Sequence, residues 1–280
     1  MKVSVLLITY NEEKNLPRCL DALSWCDDIV AVDSGSIDKS VDIVQAAGGR
    51  VYHRRFDDFA RQRNFGLNEI DFKHEWILHL DADEVATDKF TKALNNLEPS
   101  QGIYAYLVPS KTMLNGRWLK NAGMYPSYQV RLGRRDKLRF KQVGHGQRED
   151  LPPEQVGMFP EPYLHFNFSQ GVAAWLRKHV RYAEDEARVL LRSDSGEDHV
   201  TVHSQVSRRR WAKRLANRLP LLSRPFARFF YVYIWRRGFM DGSSGLLYAT
   251  MLATYEAMIA VIAMSGRSEL NSGSEEYRDI

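Results

Sequence analysis

W-I-L-H-L-D-A-D-E, residues 76–84, is the stretch on which the fold of this chain turns. Trp76 to Leu80 is a short, largely apolar run, as expected of a strand covered on both faces. It passes without a break into Asp81-Ala82-Asp83-Glu84. In open α/β sheets ligands bind outside the carboxyl ends of the strands. Acids at such an end therefore face a crevice.

Upstream, the same pattern repeats. Val3 to Thr9 is a continuous apolar run, and Leu16, Cys19, Leu20 and Leu23 follow at helical spacing. Ile29 to Asp33 reads as a second strand, and Ser40 to Ala47 as a helix ended by Gly48-Gly49. Val51 to His53 is a third short strand, Phe56 to Ile70 is helical, and Lys89 to Leu97 is a further helix. This βαβαβαβ order predicts an α/β fold with a mostly parallel, doubly wound sheet. Further on, Ile103–Val108, Gln129–Leu132 and Leu138–Val143 read as additional strands of a mixed sheet. From Gln170 the pattern is helical, so the chain divides into an α/β domain over 1–168 and a helical region over 169–280.

With 280 residues, 44% hydrophobic and 26% charged, the chain is a folded globular protein, and the composition excludes a fibrous or disordered one. Cys19 and Cys26 lack metal-ligand spacing and read as reduced thiols in a cytoplasmic protein. The apolar run at the N-terminus is too short for a signal peptide.

Four groups converge at strand ends if the fold is right: Thr9-Tyr10-Asn11-Glu12, Asp33-Ser34-Gly35-Ser36-Ile37-Asp38, Arg61-Gln62-Arg63-Asn64 and Asp81-Ala82-Asp83-Glu84. Mg²⁺ or Mn²⁺ takes one or two carboxylates together with substrate phosphates, which Asp81 and Asp83 can supply. Asp33 can accept hydrogen bonds from a base or ribose, Gly35 permits close backbone approach, and Arg61 and Arg63 can offset phosphate charge. Each group alone has a plainer reading. Asp33 and Ser36 suit a turn or helix cap, and the two arginines suit a solvated helix face. Together they point to a nucleotide-diphosphate site.

T-Y-N-E (9–12), D-S-G-S-I-D (33–38), A-R-Q-R-N-F-G (60–66) and L-D-A-D-E (80–84) resemble, in order and spacing, the N-terminal motifs of glycosyltransferase family 2, which has the GT-A fold. K-T-M-L-N-G-R-W-L-K-N-A-G-M-Y-P-S-Y-Q-V-R-L, 111–132, resembles the subgroup of lipopolysaccharide-core β-1,4-glucosyltransferases. The resemblance implies a metal-dependent, inverting transferase using a UDP-sugar. Thr9, Tyr10, Glu12, Asp33 and Arg63 would line the nucleotide pocket, with Asn11, Ser34, Gly35, Arg61, Asn64 and Ala82 beside them. Asp83 would be the main ligand of Mg²⁺ or Mn²⁺, with Asp81 contacting the donor. The general base departs from the subgroup's pattern, because V-G-H-G-Q-R-E-D, 143–150, separates the acid from the histidine. Glu149 is the first expectation for the base and Asp150 the second, with His145 as a metal or phosphate contact.

Two rivals are weighed against this reading. A sugar nucleotidyltransferase would carry a Gly-rich loop with Arg and Lys after the first strand, where Thr9-Tyr10-Asn11-Glu12 stands. A non-catalytic nucleotide-sugar-binding membrane protein would not depend on Asp83.

The net charge is +4, yet ten Lys/Arg and no acid lie between His199 and Met240. Within this block, residues 208–237 mix arginine with Phe, Tyr and Trp. That combination fits an anionic membrane surface better than nucleic acid, for which no motif is present. Leu246–Met264, with Glu256 inside it, reads as a buried or interfacial helix rather than a span. The expectation is a peripheral protein on the cytoplasmic face of the inner membrane, acting on a lipopolysaccharide or other lipid-linked glycan, with the C-terminal helices offering a surface for self-association.

Overall fold

The computed structural model describes residues 1–143, 146–192 and 220–275. They divide into two compact units, one formed by 1–118 with 125–169 and the other by 119–124 with 170–280.

The first unit is built on one mixed sheet. β1 (Ser4–Thr9), β2 (Ile29–Asp33), β3 (Arg50–His53) and β4 (Trp76–Asp81) are parallel and lie in the order β3-β2-β1-β4. β1 and β2 are buried along almost their whole length, which explains their unbroken apolar sequence. The sheet continues through β8 (Ser127–Arg134), antiparallel to β4, and β6 (Ala105–Leu114), antiparallel to β8. β12 (Tyr163–His165) pairs parallel with β6 and antiparallel with the two-residue β5 (Glu84–Val85). Short β7 (Arg117–Trp118) and β11 (Val156–Met158) also pair with β6. β9 (Phe140–Val143) and β10 (Gly146–Glu149) form a separate hairpin. The expected GT-A-type arrangement, a parallel half joined to a mixed half, is thus present.

Helices cover both faces. α1 (Leu16–Asp21), α2 (Ser40–Ala46) and α4 (Asp88–Asn95) bury Leu16, Cys19, Val44, Phe90 and Leu94 in the core that holds Val5, Leu7 and Leu80. α3 (Phe59–Glu69) covers the other face, with Leu67 against Leu6, Val30 and Ile77. It begins three residues later than its periodicity suggests. Asp58 accepts the Arg61 N–H and caps it, while Phe56 packs edge-on against Phe59 from outside. A Cβ on Gly66 would meet Leu6 Cδ2 at 2.5 Å, so glycine there sets how closely α3 lies on β1.

The second unit contains α5 (Val172–Arg192), α6 (Arg224–Phe230) continued by a π-turn over Tyr231–Trp235, and the long α7 (Gly242–Glu275). Residues 119–124 belong here because Asp241 accepts from the Asn121 and Ala122 N–H groups and the Asn121 amide. The sequence pattern did not suggest that excursion. The expected basic helix over 208–219 lies outside the described residues.

Candidate active site

Strand register brings the motif residues to one edge of the sheet. Thr9 pairs with Asp33, Asp33 with His53, and Ile8 with Asp81. The loops after β1 and β2 are then tied to each other. Asp33 Oδ1 accepts from the Thr9 and Ser36 hydroxyls, and Oδ2 accepts from the Gly35 and Ser36 N–H groups. Asn11 donates its N–H to Ser36 Oγ and accepts from the Ile37 N–H, and Glu12 donates its N–H to Ser40 Oγ. Gly35, at φ +92, occupies the left-handed region that a side chain would strain. Ser34 accepts from Gln62. Burial raises the Asp33 pKa, but the Ser36, Gly35 and Thr9 donors outweigh it and hold the carboxyl below its ordinary value. Asp33 is therefore an ionised organiser of a preformed lip, from which Tyr10 and Ile37 stand exposed.

Asp81 differs from expectation. Its Oδ1 accepts from Arg63 Nη2 at 2.6 Å and its Oδ2 from Arg131 Nη2 at 2.8 Å. Arg131 also binds Glu84, whose other oxygen accepts the Asp81 N–H, and Arg131 Nε reaches the Tyr163 hydroxyl at 3.4 Å. Both guanidiniums and Glu84 are buried, while 32% of the Asp81 side chain remains exposed. Burial raises the Asp81 pKa, yet Arg131 and Arg63 hold it far below the carboxylate range. Glu84 moves the other way, because burial there outweighs Arg131. With both oxygens held by guanidiniums, Asp81 is oriented by salt bridges and is poorly disposed to be a metal ligand.

Asp83 faces a different partner. Its Oδ2 lies 3.5 Å from His165 Nε2, and its carbonyl accepts the Phe166 N–H at 2.8 Å. His165 stands opposite Glu84 in the β5–β12 register. Burial lowers the His165 pKa, but the Asp83, Glu84 and Asp81 carboxylates outweigh it, and the net shift is upward. A carboxylate oxygen and an imidazole nitrogen at this separation could together hold one divalent cation such as Mn²⁺, with the carboxylate the better-matched ligand of the two. Among the described residues no third His, Cys, Asp or Glu joins them in a metal-binding cluster.

The α3 motif takes other roles than the sequence suggested. Arg61 is spent on Asp57 and Asp58 at the surface. Asn64 uses its amide on the Phe140 main chain, donating to the carbonyl at 2.7 Å and accepting the N–H at 2.9 Å. Arg63 is buried against Asp81 and, with the Gln147 amide turned to donate to the Phe59 carbonyl, donates to Gln147 Oε1 at 2.5 Å. Arg63 and Asn64 thus anchor the β9–β10 hairpin instead of reaching for phosphate. The Ala82 side chain belongs to the core.

Glu149 ends β10, in register with Phe140 and on the same strand face as Gln147. It is half-buried. Asp150 is an exposed partner of Lys141 at 2.6 Å, which weakens its standing as a base. His145 lies outside the described residues. Arg131, Tyr163 and His165 were missed because each joins the site through sheet pairing with distant strands, and Glu84, named only as part of the Asp81–Glu84 group, proves to be the buried partner of Arg131. Arg131 alone carried a signal, as the charge inside Tyr128-Gln-Val-Arg-Leu132, where a strand alternates.

The profile described as Glycosyl transferase family 2 matches residues 4–148. The lipopolysaccharide core biosynthesis glycosyltransferase LpsC of Rhizobium meliloti (strain 1021) is 30% identical over 164 residues, 55% of this chain and 58% of that protein. A TPR repeat-containing protein, Synpcc7942_0270, of Synechococcus elongatus is 29% identical over 183 residues, 60% of this chain and 43% of that protein. The chain spans about half the length of these curated relatives. Among solved structures, glucosyl-3-phosphoglycerate synthase of Mycobacterium tuberculosis with Mn²⁺, UDP and glucosyl-3-phosphoglycerate superposes at a TM-score of 0.46 with 17% identity, covering 72% of this chain and 83% of that one. S. aureus TarS 1–349 with UDP-GlcNAc gives 0.45 with 15% identity, covering 96% and 92%.

Proposed function

The chain belongs to glycosyltransferase family 2, and we propose that it moves a sugar, with inversion, from a UDP-sugar to a lipopolysaccharide-core or other lipid-linked glycan. The observation that carries this reading is the shared sheet edge. Thr9, Asp33 and Asp81 meet there in register, with the Asp83–His165 pair just beyond. The likeness to a lipopolysaccharide core glycosyltransferase supports the acceptor class. An acceptor of that kind is confined to a membrane, so the chain works as a peripheral protein on the cytoplasmic face of the inner membrane.

In this reading the cross-tied lip of residues 9–12 and 33–38 binds the nucleoside, with exposed Tyr10 and Ile37 offering apolar surface to the base. Asp81, fixed and ionised by two arginines, accepts hydrogen bonds from donor hydroxyls. Asp83 and His165 would hold Mg²⁺ or Mn²⁺ beside the donor diphosphate. When bound, the cation neutralises charge on the leaving diphosphate. Glu149 takes the acceptor hydroxyl proton as that oxygen bonds to the anomeric carbon. The bond from that carbon to the diphosphate oxygen breaks, and UDP leaves.

Calorimetry of UDP-sugars with and without Mn²⁺ tests the donor half. Binding that needs Mn²⁺ in the native chain and is lost in Asp83→Asn is expected. Unchanged binding in that variant would remove Asp83 from the site. Glu149→Gln should keep donor binding and lose transfer, and near-normal turnover would place the base elsewhere.

A further inference from the structure

The second unit presents an apolar stripe that stands exposed among the described residues. Leu222, in the 3-10 turn Leu221–Ser223 before α6, and then Phe226, Phe230 and Ile234 recur every four residues along α6 and its π-turn, and Trp235 adjoins Ile234. Phe226 is 78% and Trp235 74% exposed, and Phe239 and Met240 extend the exposed surface beyond the turn. The opposite side of the same segment is satisfied. Val232 is buried with Ala249 and Leu252, and Phe229 and Tyr233 pack against them.

Among the described residues the stripe adjoins one sign of charge: Arg228 and Arg236 are part-exposed and Arg237 is exposed, whereas Arg224 is buried. In sequence, 208–218 adds six more Lys/Arg without an acid. The first acid to follow, Asp241, is already used by Asn121 and Ala122. Exposed aromatics of this density are costly in water. Aromatic rings with arginines match the headgroup level of a bilayer, where each cation near an anionic surface adds roughly 1 kcal/mol.

We propose that this face docks on an anionic lipid bilayer, with Phe226, Phe230 and Trp235 entering the headgroup region. The proposal stands on the second unit alone and needs no part of the sugar-transfer reading. A second copy fits less well, because a two-fold interface would set the same acid-free arginine stretch against itself. A crossing by α7 also fits less well, although Gly238–Gly266 is long and apolar enough. α5 packs along α7, through His179 against Tyr255 and Leu191 against Gly266. It would carry Arg177, Lys178, Arg181, Glu184, Asp185 and Arg188 toward hydrocarbon.

Flotation of the full chain with vesicles of phosphatidylcholine, with and without phosphatidylglycerol, tests this. The native chain should float with the anionic vesicles only, and its tryptophan emission should shift to the blue. Phe226→Ser with Trp235→Ser should lower partitioning about tenfold for each ring removed, while circular dichroism and the unfolding midpoint stay native. Trp235→Phe should keep flotation and lose most of the emission shift. Equal flotation of native and double-Ser proteins would overturn the proposal. So would failure of the native chain to float, or a dimer in equilibrium sedimentation that the double-Ser variant abolishes.

Discussion

Arg131 Nη2 donates to Asp81 Oδ2 at 2.8 Å, joining β8 to the end of β4 where the two strands run antiparallel. The same guanidinium holds Glu84, so one arginine fixes two acids of the Asp81–Glu84 turn. Replacing Arg131 by Met would leave Glu84 buried and uncompensated. We expect a loss of about 3–5 kcal/mol in urea unfolding. Arg131→Lys should recover only part of this: both acids accept from the one Nη2, a place an ammonium can take, but the Nε donor to Tyr163 is lost. A Lys variant of native stability would show that the Tyr163 contact contributes nothing.

Asn64 should act on transfer more than on donor binding. Its amide is the side-chain anchor of Phe140, which stands opposite Glu149 in the hairpin. Asn64→Ala leaves the Phe140 N–H and carbonyl without that partner and should cost about 2 kcal/mol. Donor affinity should stay within a few fold, while kcat falls at least tenfold as Glu149 loses its fixed position. If donor affinity and kcat fell together, Asn64 would belong to the donor pocket, as its sequence position first suggested.

His79 predicts a pH signature. It is fully buried on β4, edge-on to Phe140 at 5.2 Å, and neither ring nitrogen has a hydrogen-bond partner among the described residues. Burial, then the nearby Arg63 and Arg131, hold its pKa well below 6.5. The unfolded chain therefore binds this proton first, and stability is lost as pH falls below about 6.5. His165, shifted upward, acts in the opposite sense, so the contrast must be made at His79 itself. His79→Leu should be no less stable than the native protein at neutral pH and more stable at pH 5. Parallel stability curves for the two proteins from pH 5 to 7.5 would contradict a neutral buried imidazole.

Gly66→Ala should push α3 off the sheet. The added methyl meets Leu6 Cδ2 at 2.5 Å, and overpacking of this kind costs about 1–3 kcal/mol, against about 1 kcal/mol gained in helix propensity. Pairing it with Leu6→Val, which removes the clashing atom's branch, should recover most of the loss. Urea midpoints of the two variants check this, and additive losses would exclude the contact.

Local pattern made much of the first unit legible. The apolar runs Val3–Thr9, Ile29–Asp33 and Trp76–Leu80 are strands because each is buried on both faces, and burial on both faces writes a continuous signal. The same logic located Thr9, Asp33, Asp81 and Asp83 at one edge. The β5–β12 pairing carried no such signal, since strands of two and three residues are too short to show a period. Roles in the A-R-Q-R-N-F-G segment were equally hidden. Arg61, Arg63 and Asn64 are neighbours in sequence, yet they point respectively to the surface, to Asp81 and to the Phe140 main chain.

The sequence by itself determined the α/β order, the family and the crevice edge, because periodicity and strand-end motifs are local and survive in one dimension. Tertiary structure decided which charges meet. It gave Asp81 to Arg63 and Arg131, set Asp83 beside His165, and tied Glu149's hairpin to α3. Those contacts join residues 18 to 82 positions apart, and a Coulomb interaction depends on distance in space rather than along the chain.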